Sequence, residues 1–98
     1  MIRHLVLFKL NDGIDRDADE RVAAGARAFE ALGPQIPELR EWECGWNTTE
    51  RDIAYDYAIN SLVEDREALG AYLQHPAHQA AAAQWREFAT WIIADVEV

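Results

Sequence analysis

Two of the three histidines of this chain fall in one short stretch, Tyr72-Leu73-Gln74-His75-Pro76-Ala77-His78. Proline suits the first position of a helix, where its missing N–H would have no partner anyway, so Pro76 is expected to open a helix. His75 then takes the N-cap. His78 falls in the first turn, at the head of a stripe at helical spacing: His78, Ala81, Ala82, Trp85, Phe88 and Ala89. It is therefore expected to point inward, where the positive end of the helix dipole and an apolar surrounding both disfavour imidazolium. A neutral ring able to take a proton results. Tyr72 shares the inner face of the preceding short helix with Ala68 and Leu69, and His4 lies on the first strand beside Val6 and Phe8. A phenol can donate to a developing enolate oxygen while the imidazole removes an adjacent carbon-bound proton, which makes a site for enolisation without a cofactor. On this reading His78 and Tyr72 are the catalytic pair. His4, Val6, Phe8, Tyr57, Ile59, Trp85 and Phe88 are the expected contacts to a small hydrophobic or aromatic substrate.

Each of these groups also has a structural reading. His75 can be a cap whose ring accepts a backbone N–H of the first turn, His4 a satisfied core histidine, and Tyr72 a packing residue with its hydroxyl at the surface. Trp42, Trp46, Tyr55, Tyr57, Trp85, Phe88 and Trp91 serve a core as readily as a ligand box. No metal is expected, because His75 and His78 lack a third ligand at a fixed local spacing. Ser61 is the only serine, and no Gly-x-Ser-x-Gly, phosphate-cradling glycine loop or isolated carboxylate dyad occurs. Serine hydrolysis and nucleotide chemistry are thereby disfavoured, and no cofactor is expected.

The elements that must position the site follow from periodicity. Ile2 to Leu10 alternates as a strand, with Ile2, His4, Val6 and Phe8 on one face and Arg3, Leu5, Leu7 and Lys9 on the other. Asn11-Asp12-Gly13 is a turn signal, and Asp17 with Glu20 predicts a capping box for a helix to about Leu32, ended by Gly33-Pro34. Val22, Ala26 and Phe29 form its apolar stripe. Leu39 to Trp46 predicts a second strand with Arg40, Trp42, Cys44 and Trp46 in phase. Ile53 to Val63 predicts a third, with Tyr55, Tyr57, Ile59 and Ser61 in phase. Asp65 is expected to cap a short helix to Leu73, the Pro76 helix follows, and Trp91 to Val98 closes the chain as a fourth strand. The order β-α-β-β-α-β, with its second helical region split at Pro76, predicts an α+β ferredoxin-like domain spanning residues 1–98. Its antiparallel four-stranded sheet carries the helices on one face.

Composition bounds the partners. Ninety-eight residues bury only roughly 60 to 70% of the surface that the unfolded chain exposes, so a second subunit would help the thin core. Leu5, Leu7 and alternate residues of the last strand leave the helix-free face apolar, for which a twofold copy of the same sheet is the economical cover. A homodimer is expected. Eighteen acidic residues against nine basic ones give a net charge of -9, which disfavours nucleic acid and anionic membrane surfaces. The single Cys44 allows no internal disulfide, and no apolar run is long enough for a membrane span or shaped like a signal peptide. A cytoplasmic location is the expectation.

Ile2-Arg3-His4-Leu5-Val6-Leu7-Phe8-Lys9, Gly45-Trp46-Asn47, Tyr55-Asp56-Tyr57-Ala58 and above all Ala71-Tyr72-Leu73-Gln74-His75-Pro76-Ala77-His78 resemble the stress-responsive A/B barrel (Dabb) domain family, over essentially the whole chain. The resemblance implies a ferredoxin-like subunit that pairs into a dimeric α+β barrel. The chain is also similar to a plant polyketide cyclase of that family, in which the histidine of the last helix and the tyrosine before it serve an intramolecular aldol condensation. Those roles would fall on His78 and Tyr72, with His4 as a pocket residue. Tyr57 stands where that cyclase has another histidine, and Ala81 and Ala89 stand where it has large aromatics, so its pocket shape and substrate do not carry over. Three readings stay open at this point: enolisation or aldol closure of a polyketide-like molecule, a non-enzymatic stress protein with structural histidines, and a cofactor-free monooxygenase.

Overall fold

The alternating Ile2–Leu10 segment forms strand β1, which hydrogen-bonds on both sides and so lies inside a sheet. The computed structural model, which describes residues 1–98, orders the strands β2 (Glu41–Trp46), β3 (Tyr57–Val63), β1 and β4 (Ala89–Glu97), all antiparallel. Helices α1 (Glu20–Glu30), α2 (Arg66–Gln74) and α3 (Pro76–Arg86) complete the order β-α-β-β-α-α-β. This is the ferredoxin-like arrangement, with the second crossover broken into two helices. No helix is long and apolar enough to cross a membrane.

The helices pack on the face that carries His4, Val6 and Phe8, all buried, while Leu7 on the opposite face is 41% exposed. One end of the layer between helices and sheet is filled by rings. Trp85 stacks within 5 Å, centroid to centroid, of Phe8, Phe29, Tyr57 and Phe88. Gly25 makes room for it: a β-carbon there would stand 2.9 Å from both the Trp85 Nε1 and the Phe88 ring. The absence of a side chain at this point of α1 lets the helix settle directly on the indole.

Several boundaries differ from the sequence expectation, each for a local reason. The cap of α1 is Asp19 and not Asp17: the Asp15 carboxylate takes the Asp17 N–H, forming a turn that delays the helix. Asp19 then accepts from the Arg21 N–H and clamps the Arg21 guanidinium at 2.8 Å. β2 begins at Glu41 and not Leu39, after a 3-10 turn at Gly33–Gln35 and a further bend. β3 begins at Tyr57 and not Ile53, because Arg51 to Ala54 closes a turn that leaves Ile53 79% exposed. Asp56 secures that junction, its carboxylate taking the Leu10 N–H at 2.7 Å. Phe88 and Ala89 are not on the last helix. Bonds from the Glu87 and Phe88 N–H groups to carbonyls three residues back tighten the end of α3, and Ala89 already pairs with Leu10 as the start of β4.

Leu7, Ile92 and Val96 on the helix-free face are each more than 40% exposed. A shallow apolar groove of about 230 Å³ runs across it between Leu5, Leu7, Ala58, Ile92, Ile93 and Ala94. This chain leaves that apolar surface without cover of its own.

Candidate functional site

The joint between α2 and α3 builds the site. His75 is extended there, at φ -60° and ψ 134°, closing α2 and capping α3 at once. Its Nδ1 accepts the Ala77 N–H at 3.1 Å, and Pro76 needs no partner, so two orphan positions of the helix start are settled. His75 is a cap.

Three residues on, the His78 Nδ1 lies 2.9 Å from the Leu73 carbonyl oxygen. A carbonyl can only accept, so Nδ1 carries the proton and donates it to one of the carbonyls that α2 leaves unpaired at its end. In the neutral ring the lone pair is therefore on Nε2. Burial holds the His78 pKa below the ordinary histidine value; the Leu73 carbonyl opposes this, while His4, Arg86 and His75 add to it. The ring is neutral at pH 7.

Tyr72, 1% exposed, stands between the two histidines. Its ring meets His78 edge-on at 4.9 Å and His4 edge-on at 5.6 Å, and Trp42 closes a third side at 6.0 Å. Burial pushes the phenol well above its usual range, opposed by its hydrogen bond with Ser61 and reinforced by the negative charge of Asp95. It stays protonated, with the Ser61 hydroxyl as its hydrogen-bond neighbour. His4, opposite Asp95 in the β1–β4 register, donates from Nδ1 to the Asp95 carboxylate at 2.5 Å, which leaves Nε2 as its second polar atom. The two histidines are thus anchored by the same ring nitrogen, one to a backbone carbonyl and one to a carboxylate.

All three rings line one cavity of about 170 Å³, with Val6, Phe8 and Ile59 of the sheet forming much of its wall. Phe29, Leu73, Ala82, Trp91 and Ile93 complete the apolar lining, and Arg86 sits on its edge. A wider depression of about 640 Å³ near the chain ends carries Glu64, Asp65, Asp95 and Glu97 and none of the imidazoles.

Of the residues read from the sequence, His78, Tyr72, His4, Val6, Phe8 and Ile59 come together around the cavity. Tyr57, Trp85 and Phe88 do not line it: each is at most 2% exposed, packed in the aromatic end of the core. Two residues escaped the sequence reading. Asp95 faces His4 only through the strand register, and Arg86 reaches the cavity from the last turn of α3. The pairing of β4 with β1 was the missing information in the first case, and where α3 stops was missing in the second. No group of three or more His, Cys, Asp or Glu side chains is placed to hold a metal ion.

Chemically, the cavity offers an acceptor on His78 Nε2, a phenolic donor on Tyr72 and apolar walls on both sides of them. A base and a donor bordering one small apolar space are what proton transfer at a carbon next to a carbonyl requires.

Comparison with known proteins extends over the same span. The family model for the stress responsive A/B barrel domain matches residues 2–98. The chain is 68% identical over 97 residues to uncharacterized protein SCO4036 of Streptomyces coelicolor, covering 99% of each. Among solved structures it is similar to a dimeric ferredoxin-like protein of unknown function from Thermobifida fusca, with 28% identity and a TM-score of 0.86, over 99% of this chain and 90% of that one. The fold is shared with a hydroxynitrile lyase of Passiflora edulis, at 14% identity and a TM-score of 0.80, over 99% and 92% of the two chains. With its whole length matched and its strand and helix order that of the ferredoxin-like fold, this chain belongs to the stress-responsive A/B barrel domain family.

Proposed function

We propose that the protein binds a small apolar or aromatic carbonyl compound in the cavity of about 170 Å³ and catalyses its enolisation without a cofactor. One observation carries this reading: the Leu73 carbonyl fixes the His78 proton on Nδ1, so the lone pair of a neutral ring is on Nε2, beside a protonated Tyr72. His78 Nε2 takes the carbon-bound proton, and the Tyr72 O–H donates to the oxygen on which negative charge develops. The enolate is then reprotonated or, in a polyketide-like substrate, attacks a second carbonyl of the same molecule in an aldol closure, the new alkoxide taking back the proton held on His78 Nε2. The likeness of sequence to the cyclase noted above supports the same assignment of base and donor.

The working unit in this reading is a homodimer. The exposed Leu7, Ile92 and Val96 need cover, and the similar Thermobifida fusca protein is dimeric. Ile59 and Ile93 border both the cavity and the groove on the helix-free face, so a partner sheet seated on the groove would back the strands that form the cavity wall.

A specific observation also favours a non-enzymatic stress protein: His4 and His78 each already have a protein partner, as structural histidines do. Deuterium exchange at the α-carbon of phenylacetone in D₂O, followed by proton NMR, separates the two. The enzymatic reading expects acceleration by the parent protein and a loss of about a hundredfold or more in His78→Ala and in Tyr72→Phe, with His75→Ala near the parent. No acceleration by the parent, together with a lowered melting temperature in His78→Ala, establishes the structural reading instead.

A further inference from the structure

Arg86 is the one lysine or arginine on the cavity wall. Arg86 is exposed, and its guanidinium lies 5.4 Å from the centre of the Trp91 ring, another wall residue, in a cation–π contact that favours this position beside the cavity. It joins none of the five ion pairs in the structure, although acidic side chains outnumber basic ones two to one. No carboxylate lines the cavity wall, and the one bonded to a wall residue, Asp95, is taken up by His4 Nδ1. In a chain of net charge -9, the cavity therefore presents a guanidinium, two imidazoles and a phenol, a lining biased toward a negative guest.

We propose that the cavity takes its ligand as an anion, a monocarboxylate with a body of about one aromatic ring, whose carboxylate pairs with Arg86 while the ring lies against Val6, Phe8 and Ile59. The planar fork of a guanidinium matches a carboxylate through two parallel N–H bonds, which no other side chain of the wall can do. Size agrees, since an apolar cavity of about 150 Å³ accommodates a benzene, and the present one leaves a little more room for a short acidic arm. This inference rests on the cavity being the ligand site and adds the charge of the ligand to that reading. It also gives Arg86 a place in the chemistry: the guanidinium orients the guest so that its reacting carbon is set against His78, which makes Arg86 a positioning residue.

The test compares phenylacetate with the neutral phenylacetamide, of nearly the same shape, by tryptophan fluorescence and proton NMR titration at pH 7.5 and low salt. The parent protein is expected to bind phenylacetate about tenfold tighter, as one well-made carboxylate–guanidinium pair at a partly exposed site supplies. Arg86→Gln should erase that preference without changing the affinity for the amide, and Arg86→Lys should recover part of it. Equal binding of the two compounds by the parent, unchanged in Arg86→Gln, overturns the anion proposal and leaves the cavity reading standing. Ala82→Leu, which narrows the cavity, tells the two failures apart. If neither compound binds, or if Ala82→Leu leaves binding intact, the cavity is not the ligand site, and both readings fall.

Discussion

The space between the helices and the sheet has two ends, and they are built differently. At one end Trp85, Phe8, Phe29, Tyr57 and Phe88 fill the layer ring against ring, and α1 is brought down onto them at Gly25. At the other, α3 presents Ala82 and His78 toward the same sheet, and a cavity opens between His4, Tyr72 and the edge of β4. The same helix thus supplies both the plug and the hollow, through the size of the side chains on successive turns. Stability concentrates at the filled end, which leaves polar rings free to be held at the other by single hydrogen bonds.

The sharpest way to break this contrast is Trp85→Ala, which removes a fully buried indole and should cost about 3 to 5 kcal/mol by chemical denaturation. A smaller loss than His78→Ala produces would mean that the cavity end, and not the aromatic end, holds the fold. Gly25→Ala comes next. Its methyl group would stand 2.9 Å from Trp85 and Phe88, and the repacking should lower stability by about 1 to 3 kcal/mol, with a smaller effect on phenylacetate binding, because Trp85 reaches the cavity only through the shared wall residues Phe8 and Phe29. Tyr57→Phe should go the other way. The Tyr57 hydroxyl is buried without a hydrogen-bond partner, with the Cys44 thiol as its neighbour, so its removal is expected to be neutral or to stabilise by up to about 1 kcal/mol. Marked destabilisation on a thermal melt would show that a bond to the hydroxyl matters.

The smallest effect is that of pH, and it belongs to the cavity end. The pKa of His78 is lower in the folded protein than in the unfolded chain, where it takes the ordinary value near 6.5. Between the two values the unfolded chain binds more protons, so stability is full above about pH 6.5 and falls as the pH drops toward the folded value. Denaturant titrations of the parent at pH 7.5 and 5.5, compared with the same pair for His78→Asn, should show a shallower drop in the variant. Equal drops would place the acid sensitivity elsewhere.

What could be read from the residues divides along the same line. The β1 alternation, Pro76 at the start of α3 and the His75 cap are written in short-range patterns, and the structure follows them. The strand starts were harder: nothing in the β-branched and aromatic character of Ile53 and Tyr55 says that a turn at Arg51 to Ala54 will strand Ile53 in solvent. At the site, the face shared by His4, Val6 and Phe8 was legible because a strand has a period of two. Which aromatics are wall and which are plug was not, since Trp85 and Phe88 continue the spacing of His78 and the room that Gly25 leaves for them belongs to the assembled fold. Asp95 and Arg86 depend on pairing and on where a helix stops, which are properties of the assembled chain.

Ile93 stands on the boundary between the cavity and the groove of the helix-free face. If a partner subunit closes that groove, guest and subunit bear on opposite faces of the same strand residue, and their affinities become thermodynamically linked. By reciprocity, a guest that binds the pair tenfold more tightly than the single subunit must strengthen association through each occupied cavity by the same factor. Concentration would then act as an effector: diluting the protein would weaken its hold on the guest, and flooding it with guest would keep the pair together.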